Sequence, residues 1–476
     1  MLPYLPRLLT TASLFSLLLS APAALATPTA FLPVGYDNQL EHQIERLFAL
    51  TSGVPMSKPY RISVIEKALV QAKDTHPALY ELINQRLNRY RGELTLSRVG
   101  ATVRYDGDEA MPLPNQRGLA SDDWGQVFAE GLWRPNHAML VQGGVEYRPH
   151  TAELVPYNTF VALAGDDLQL TLGYKEHWFS PFKFSGQLFS TNAKASPSVS
   201  VGMVAPAHNW WNLDFELFYT QLDEVPDGIR FAGETFDGSP RVAGVHISIE
   251  PVKGWKLAVN RIMQFGGGPR DTGFSDVLKA FYDPAGNDNS YTDEERDSEA
   301  GDQIASVTST FYLDGAVPAE LYFEYAGEDT QGGSNYSLGN QSMSGGVFLP
   351  ALTQRLSLRY EYNQWKTAWY TNGLYPAGNT NKGRVFGHWA ADRREFGDAV
   401  PAQIHTIALD FQQDMDTYWQ LKYANQYNES DDYVRGHELQ LLNSQPFYDY
   451  QLQTIVTYGR NVFDETYSQA SVSLLW

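Results

Sequence analysis

Leu356-Ser357-Leu358-Arg359-Tyr360-Glu361-Tyr362-Asn363 alternates without a break, with Leu and Tyr at every second position and Ser, Arg, Glu and Asn between them. Successive side chains of a strand point to opposite faces. One face of this segment is therefore apolar, and the other carries a cation and an anion. The pattern recurs. Trp211, Leu213, Phe215, Leu217 and Tyr219 alternate with Asn212, Asp214, Glu216 and Phe218, and Leu452, Thr454, Val456 and Tyr458 alternate with Gln451, Gln453, Ile455 and Thr457. A soluble antiparallel sheet with one wet face alternates in this way. So does a membrane barrel, with lipid outside and polar groups within.

The connections choose between the two. From Glu93 onward the chain reads as about eighteen strands of roughly ten residues, long enough for a tilted strand to cross a bilayer. Arg134–His137, Gly165-Asp166, Glu250–Gly254, Pro350–Thr353 and Gln413–Met415 are tight, whereas 176–196, 221–240, 265–302 and 367–400 are long. Short and long connections alternate along much of the chain, so they fall on opposite rims, as in outer-membrane barrels. Ser468, Ala470, Val472, Leu474 and Trp476 share one face of the last strand. This ending resembles the terminal strand of proteins inserted by the outer-membrane assembly machinery. Tyr105, Trp133, Tyr147, Tyr174, Trp255 and Tyr458 lie near strand ends, where interfacial girdles sit.

Residues before Glu93 follow a helical period instead. Leu40, Ile44, Leu47 and Phe48 recur behind Asp37, a helix-capping residue type. A second helix is expected from about Pro59 to Lys73, and a third from Pro77, presenting Leu79, Ile83, Leu87 and Tyr90 and ending near Gly92. Further upstream, Arg7, the apolar run Leu8–Leu19 and Ala24-Leu25-Ala26 read as a signal peptide cleaved near Ala26. The expected organisation is a signal peptide over 1–26, a periplasmic helical bundle over 27–92 and an outer-membrane β-barrel over 93–476. The chain of 476 residues has no cysteine, 13% aromatic residues and a mean hydropathy of -0.35. Thiolate metal sites and cysteine nucleophiles are thereby excluded. The net charge of -20 becomes -21 once Arg7 is removed, leaving 34 basic against 55 acidic residues, and argues against nucleic acid as a partner.

Beyond the barrel, Arg261-Ile262-Met263-Gln264-Phe265-Gly266-Gly267 resembles the R-x-M-Q-aromatic-G-G stretch of the Wzi family of capsule-assembly proteins. Ile83-Asn84-Gln85-Arg86-Leu87, Gly327-Glu328-Asp329, and Tyr375-Pro376 with the glycine-rich region to Gly387 agree in the same order. The resemblance covers nearly the whole chain after the signal peptide. It implies an all-β membrane barrel of about 18 antiparallel strands, closed at the periplasmic end by helices and at the other by folded loops. The implied function is lectin-like attachment of capsular or extracellular polysaccharide at the surface of a Gram-negative cell, without catalysis or a cofactor. Lipid, lipopolysaccharide and the assembly machinery are the other expected partners. The family motif residues are Arg261, Met263, Gln264, Gly266 and Gly267. Arg261 is expected to face the lumen and pair with an inward carboxylate.

Sugar rings need flat apolar faces flanked by hydrogen-bonding side chains on loops. Trp178, Trp369, Tyr370, His388 and Trp389 answer that description, with Arg393 and Arg394 placed to pair with uronate carboxylates. The competing reading is that these aromatics pack the loops into a lid. The acidic run Asp283–Asp302 fits no calcium-loop spacing and reads as a solvated charge run, so no metal is expected. G-x-S-x-G, H-E-x-x-H and P-loop motifs are absent from the sequence. An outer-membrane porin or solute channel stands as the alternative to the polysaccharide binder, and a barrel-rim hydrolase or acyltransferase as a third.

Overall fold

The computed structural model describes residues 27–476 apart from 107–114, 121, 226–227, 270–272, 274, 276–278, 282–300, 331–336, 368, 371 and 393–399. The expected signal peptide, most of the acidic run, and Arg393 and Arg394 lie outside the described residues.

Three helices open the chain: α1 (Asn38–Leu50), α2 (Ile62–Ala72) and α3 (Pro77–Leu87). Asp37 caps α1 by accepting a hydrogen bond from the Leu40 amide at 3.0 Å, satisfying an amide that the helix start leaves open. The second helix starts later than its sequence pattern suggests. Tyr60–Arg61 are taken into a two-stranded ladder with Phe31–Leu32, and an extended residue cannot also be helical. No described helix is long and apolar enough to cross a membrane.

Among the described residues, eighteen strands form the barrel that follows. They are β1 (Leu94–Asp106), β2 (Gly125–Asn136), β3 (Met139–Arg148), β4 (Glu153–Gly165), β5 (Leu168–Tyr174) and β6 (Ser198–Met203). Next come β7 (Asp214–Gln221), β8 (Arg241–Val252), β9 (Trp255–Phe265), β10 (Gly301–Leu313), β11 (Ala319–Thr330) and β12 (Leu338–Leu349). Last are β13 (Leu356–Trp365), β14 (Ala402–Gln412), β15 (Tyr418–Asn428), β16 (Gly436–Phe447), β17 (Tyr450–Arg460) and β18 (Thr466–Leu475). Each pairs antiparallel with its neighbour in sequence, and β18 returns to β1 with Leu475 opposite Gly100, closing the barrel. Closure removes every free sheet edge, which a bilayer requires because its interior supplies no hydrogen-bond partners.

The alternation of β13 maps onto the wall as expected. Ser357, Arg359, Glu361 and Asn363 are buried toward the lumen, while Tyr360 faces outward. Val103, Leu217, Val259, Val307, Phe323, Leu421 and Val456 are likewise exposed on the outer face. So continuous a band of exposed apolar side chains suits lipid rather than water. One element is shorter than its sequence pattern. Trp211 and Asn212 have positive φ, 56° and 51°, and form a turn before β7, so Trp211 lies outside the strand.

The tight connections named above lie on one rim and the long ones on the other, which also carries the short turns 149–152 and 461–465. The helices sit at the short-turn rim, and the chain before them enters the lumen: the Phe31 amide donates to Gln142 and the Tyr36 hydroxyl to Glu146, both inward residues of β3.

Candidate functional site

Inward charges on the strands leave the lumen with ionic groups that must find partners once water is excluded. The long loops supply them. After β5 the chain turns inward, and Glu176, His177, Trp178, Phe179, Ser180 and Phe182 are buried. Trp178 reaches the N-terminal segment, where its carbonyl accepts from the Lys58 amide at 2.9 Å and the Lys58 ammonium lies 4.5 Å from its ring. Lys183 at the bottom of this loop pairs with Glu41 at 3.3 Å and Glu45 at 3.2 Å on α1, while Arg359 of β13 meets Glu45 at 2.9 Å. The Lys183 and Phe184 amides donate to Glu361 at 2.7 and 3.2 Å. A loop from one rim thus runs through the lumen and docks on the helix that closes the other.

Electrostatics at this junction follow from the packing. Burial by itself raises the Glu45 carboxyl, but Lys183, Arg359 and Lys58 outweigh it and hold the group well below the usual carboxylate range. Burial also brings the Lys58 ammonium down to about 8. A second ionic tie starts from the first long connection. Arg117 forms a two-pronged pair with Glu176 and donates to the Val34 carbonyl at 2.8 Å, holding that connection to the N-terminal segment.

The loop after β13 covers the first loop. Ser190 donates its amide to Phe386 at 2.6 Å and its hydroxyl to Gly387 at 2.7 Å, and Asn192 donates to Val385 and Asp392 at 2.9 and 3.0 Å. Between them lies an aromatic core of Phe179, Phe189, Phe218, Trp365, Trp369, Tyr370, Phe386 and Trp389. Here the sequence-derived candidates find their places. Trp178 and His388 are 1% exposed, Trp369 0%, Tyr370 2% and Trp389 8%. Trp369, Tyr370, His388 and Trp389 come together, whereas Trp178 belongs to the packing around the N-terminal segment. None of the five presents a ring face to solvent, because loops of this length gain more by burying aromatics than by displaying them. His388 accepts from the Ala390 amide through Nδ1 at 3.2 Å, and burial depresses its imidazole to about 3.

The family motif corrects one expectation. Arg261 faces outward, because the inward positions of β9 are Ala258, Asn260, Ile262 and Gln264. Its guanidinium donates to the Phe281 carbonyl at 2.9 Å and the Ala280 carbonyl at 3.1 Å, and it also bonds Gln303. Arg261 therefore pins residues 280–281 against the outer wall, where Ala280 covers Met263 and Phe265. Gln264 is buried and faces the lumen. Gly266 and Gly267 have φ of +64° and +92°, and a Cβ at Gly267 would stand 2.7 Å from the Pro240 nitrogen. The Tyr375 hydroxyl donates to the adjoining Gly266 carbonyl at 3.1 Å. Other dispersed segments also meet partners: Glu328 accepts from the Tyr370 amide, and Arg86 pairs with Asp37 at 2.9 Å where α1 starts. Asp302, at the end of the acidic run, is buried in β10.

A closed barrel with a lipid-facing wall, a lumen packed from loop to helix and a folded lid is an outer-membrane barrel of the plugged class. Residues 118–442 match the family described as capsule assembly protein Wzi, and the chain belongs to that family. An uncharacterised 55.8 kDa protein in the cps region of Klebsiella pneumoniae is 23% identical over 288 residues, covering 56% of this chain. The match covers 52% of that relative, so the chain spans about half its length. Among solved structures, Wzi of Escherichia coli, described as an outer-membrane protein involved in group 1 capsule assembly and a carbohydrate-binding β-barrel, superposes with a TM-score of 0.69. The two are 16% identical over 95% of this chain and 99% of that one, a likeness of fold.

Sequence reasoning missed Lys183, Glu41 and Glu45. A signal was present, since Arg359 and Glu361 at inward positions of a strand require buried counter-charges, but nothing local says which loop supplies them.

Proposed function

We propose that this protein holds a surface polysaccharide in a lectin-like way at the outside of the outer membrane and so helps to assemble or anchor a capsule. The carrying observation is the filled lumen. A loop that crosses the barrel and ion-pairs with α1 leaves a display platform rather than a diffusion path, which disfavours the porin reading. Family membership and the carbohydrate-binding description of the Escherichia coli relative support the same reading. The short-turn rim, with residues 27–92, is read as periplasmic and the lid as extracellular.

The buried aromatics then shape the lid, and its exposed side chains meet the polymer. Lys382 and Arg230 are both exposed in the long loops of this rim: Lys382 lies 3.6 Å from Asp223, and the Arg230 amide donates to the Leu374 carbonyl at 2.9 Å. An acidic polymer would favour such cations. The protein acts as a binder, and its lipid and lipopolysaccharide contacts are those of its outer wall.

The test is capsule retention in a strain carrying a K382E/R230E double variant. Cell-bound polysaccharide should fall at least about tenfold, the effect of losing charge-assisted hydrogen bonds, with the released polymer rising to match. Unchanged retention in cells lacking the protein altogether would sink the reading.

A further inference from the structure

The lid leaves the opposite rim unexplained. There, between α3, the start of α1 and the strands on either side of the barrel's closure, lies a cavity of about 400 Å³. It falls within the roughly 300–1,000 Å³ of small-ligand pockets. Arg98 lines its wall from β1, is only 6% exposed, and has a guanidinium nitrogen, Nη1, with no hydrogen-bond partner. Glu130 balances its charge, but a buried donor left open is costly unless something completes it. Arg89 adds a second cation, stacked 4.3 Å from the Trp476 ring. Arg86 also lines the cavity but is already committed to Asp37 and Gln39.

The remaining walls narrow the class of ligand. Tyr448 and Tyr450 are exposed aromatic rings, the kind of surface on which a pyranose ring stacks. Gln85 and Gln451 bring amides, and Asp416 and Asp449 bring carboxylates, able to accept from hydroxyl groups. Those acids oppose a doubly charged phosphate, whereas guanidinium donors match a single planar carboxylate. We propose that this cavity is a saccharide site on the short-turn rim that takes one uronic acid residue, its carboxylate on Arg98 and Arg89. The choice of a sugar rests on the glycan reading above; the anion site rests on Arg98 and the cavity.

Saturation-transfer NMR on the full-length protein in detergent micelles, titrated with glucuronate, glucose and inorganic phosphate, tests it. Glucuronate should bind saturably, with glucose at least about tenfold weaker and phosphate a poor competitor. R98Q and R89Q should each weaken glucuronate about tenfold, the scale of one charged hydrogen bond. Retained heat-modifiable gel mobility checks that each variant is folded, and if R98Q is not, R89Q decides alone. Absence of saturable glucuronate binding, equal competition by phosphate, or parental affinity in the folded variants overturns the proposal. The titrations are made on a K382E/R230E background, which removes the lid cations, so loss of capsule retention and loss of the rim site are read separately.

Discussion

His388 shows at the scale of one residue how a binding candidate becomes a structural part. Its aromatic neighbours and loop position suit a glycan contact, yet the imidazole is enclosed between Trp365 and Trp389, with ring centroids 5.3 and 5.2 Å away. Burial lowers it to about 3, and burial likewise brings His42 on α1 and His177 in the first lid loop to about 4. For His177 the Lys175 charge works in the same direction, against Glu216; for His42 the main opposing charge is Asp410. Each folded value lies below the ordinary 6.5, so the folded chain binds fewer protons in the interval. Stability is therefore full above pH about 6.5 and is lost as pH falls through the window toward 4 and then 3. Limited proteolysis of the lid from pH 7.5 to 4 should show progressive opening. H388Q, which keeps an acceptor for Ala390, should flatten the acid side by an amount on the order of a few kcal/mol. A pH-independent lid would refute the assignment. From the sequence a glycan contact and a packed lid both stood open for these aromatics, because residue type alone does not say whether a loop folds over its own side chains.

Elements were read more reliably than residues. The inward face of β13 carries Arg359 and Glu361 where alternation puts them, and Asp37 caps α1. Where local pattern and structure part, a competing contact is the reason: the Phe31–Leu32 ladder takes Tyr60–Arg61 out of α2, and the turn at Trp211 shortens β7. Arg261 was placed on the wrong face because its charge suggested the lumen, although strict alternation with Asn260 and Gln264 required the outer one. The element that matters most has no period at all. Loop 175–197 is held by Lys183 against a buried Glu41 and a partly buried Glu45. Lys183→Ala should cost about 3 kcal/mol, chiefly by leaving Glu41 without its cation while Glu45 keeps Arg359, read as a lower thermal midpoint in detergent. A change below about 0.5 kcal/mol would mean that the ion pairs do not hold the loop.

At the scale of the whole molecule the barrel wall and its contents form one structure, with the lid, the lumen loop and α1 joined by hydrogen bonds and ion pairs. Planar-bilayer recordings of the refolded protein should therefore show no large steady conductance, and a stable pore in the parent protein would contradict the filled lumen. Strand number, rim parity, the lipid-facing band and the helical head were determined by the sequence itself, because alternation, turn chemistry and helix capping act over a few residues. The family followed from segments that are weak singly and informative in order. Which side chains meet was decided only by the tertiary structure. Gly266 and Tyr375, Glu328 and Tyr370, Lys183 and Glu45, and the cavity beside Arg98 join residues far apart in the chain. Their pairing depends on barrel closure and the path of a loop, and neither leaves a local period to read.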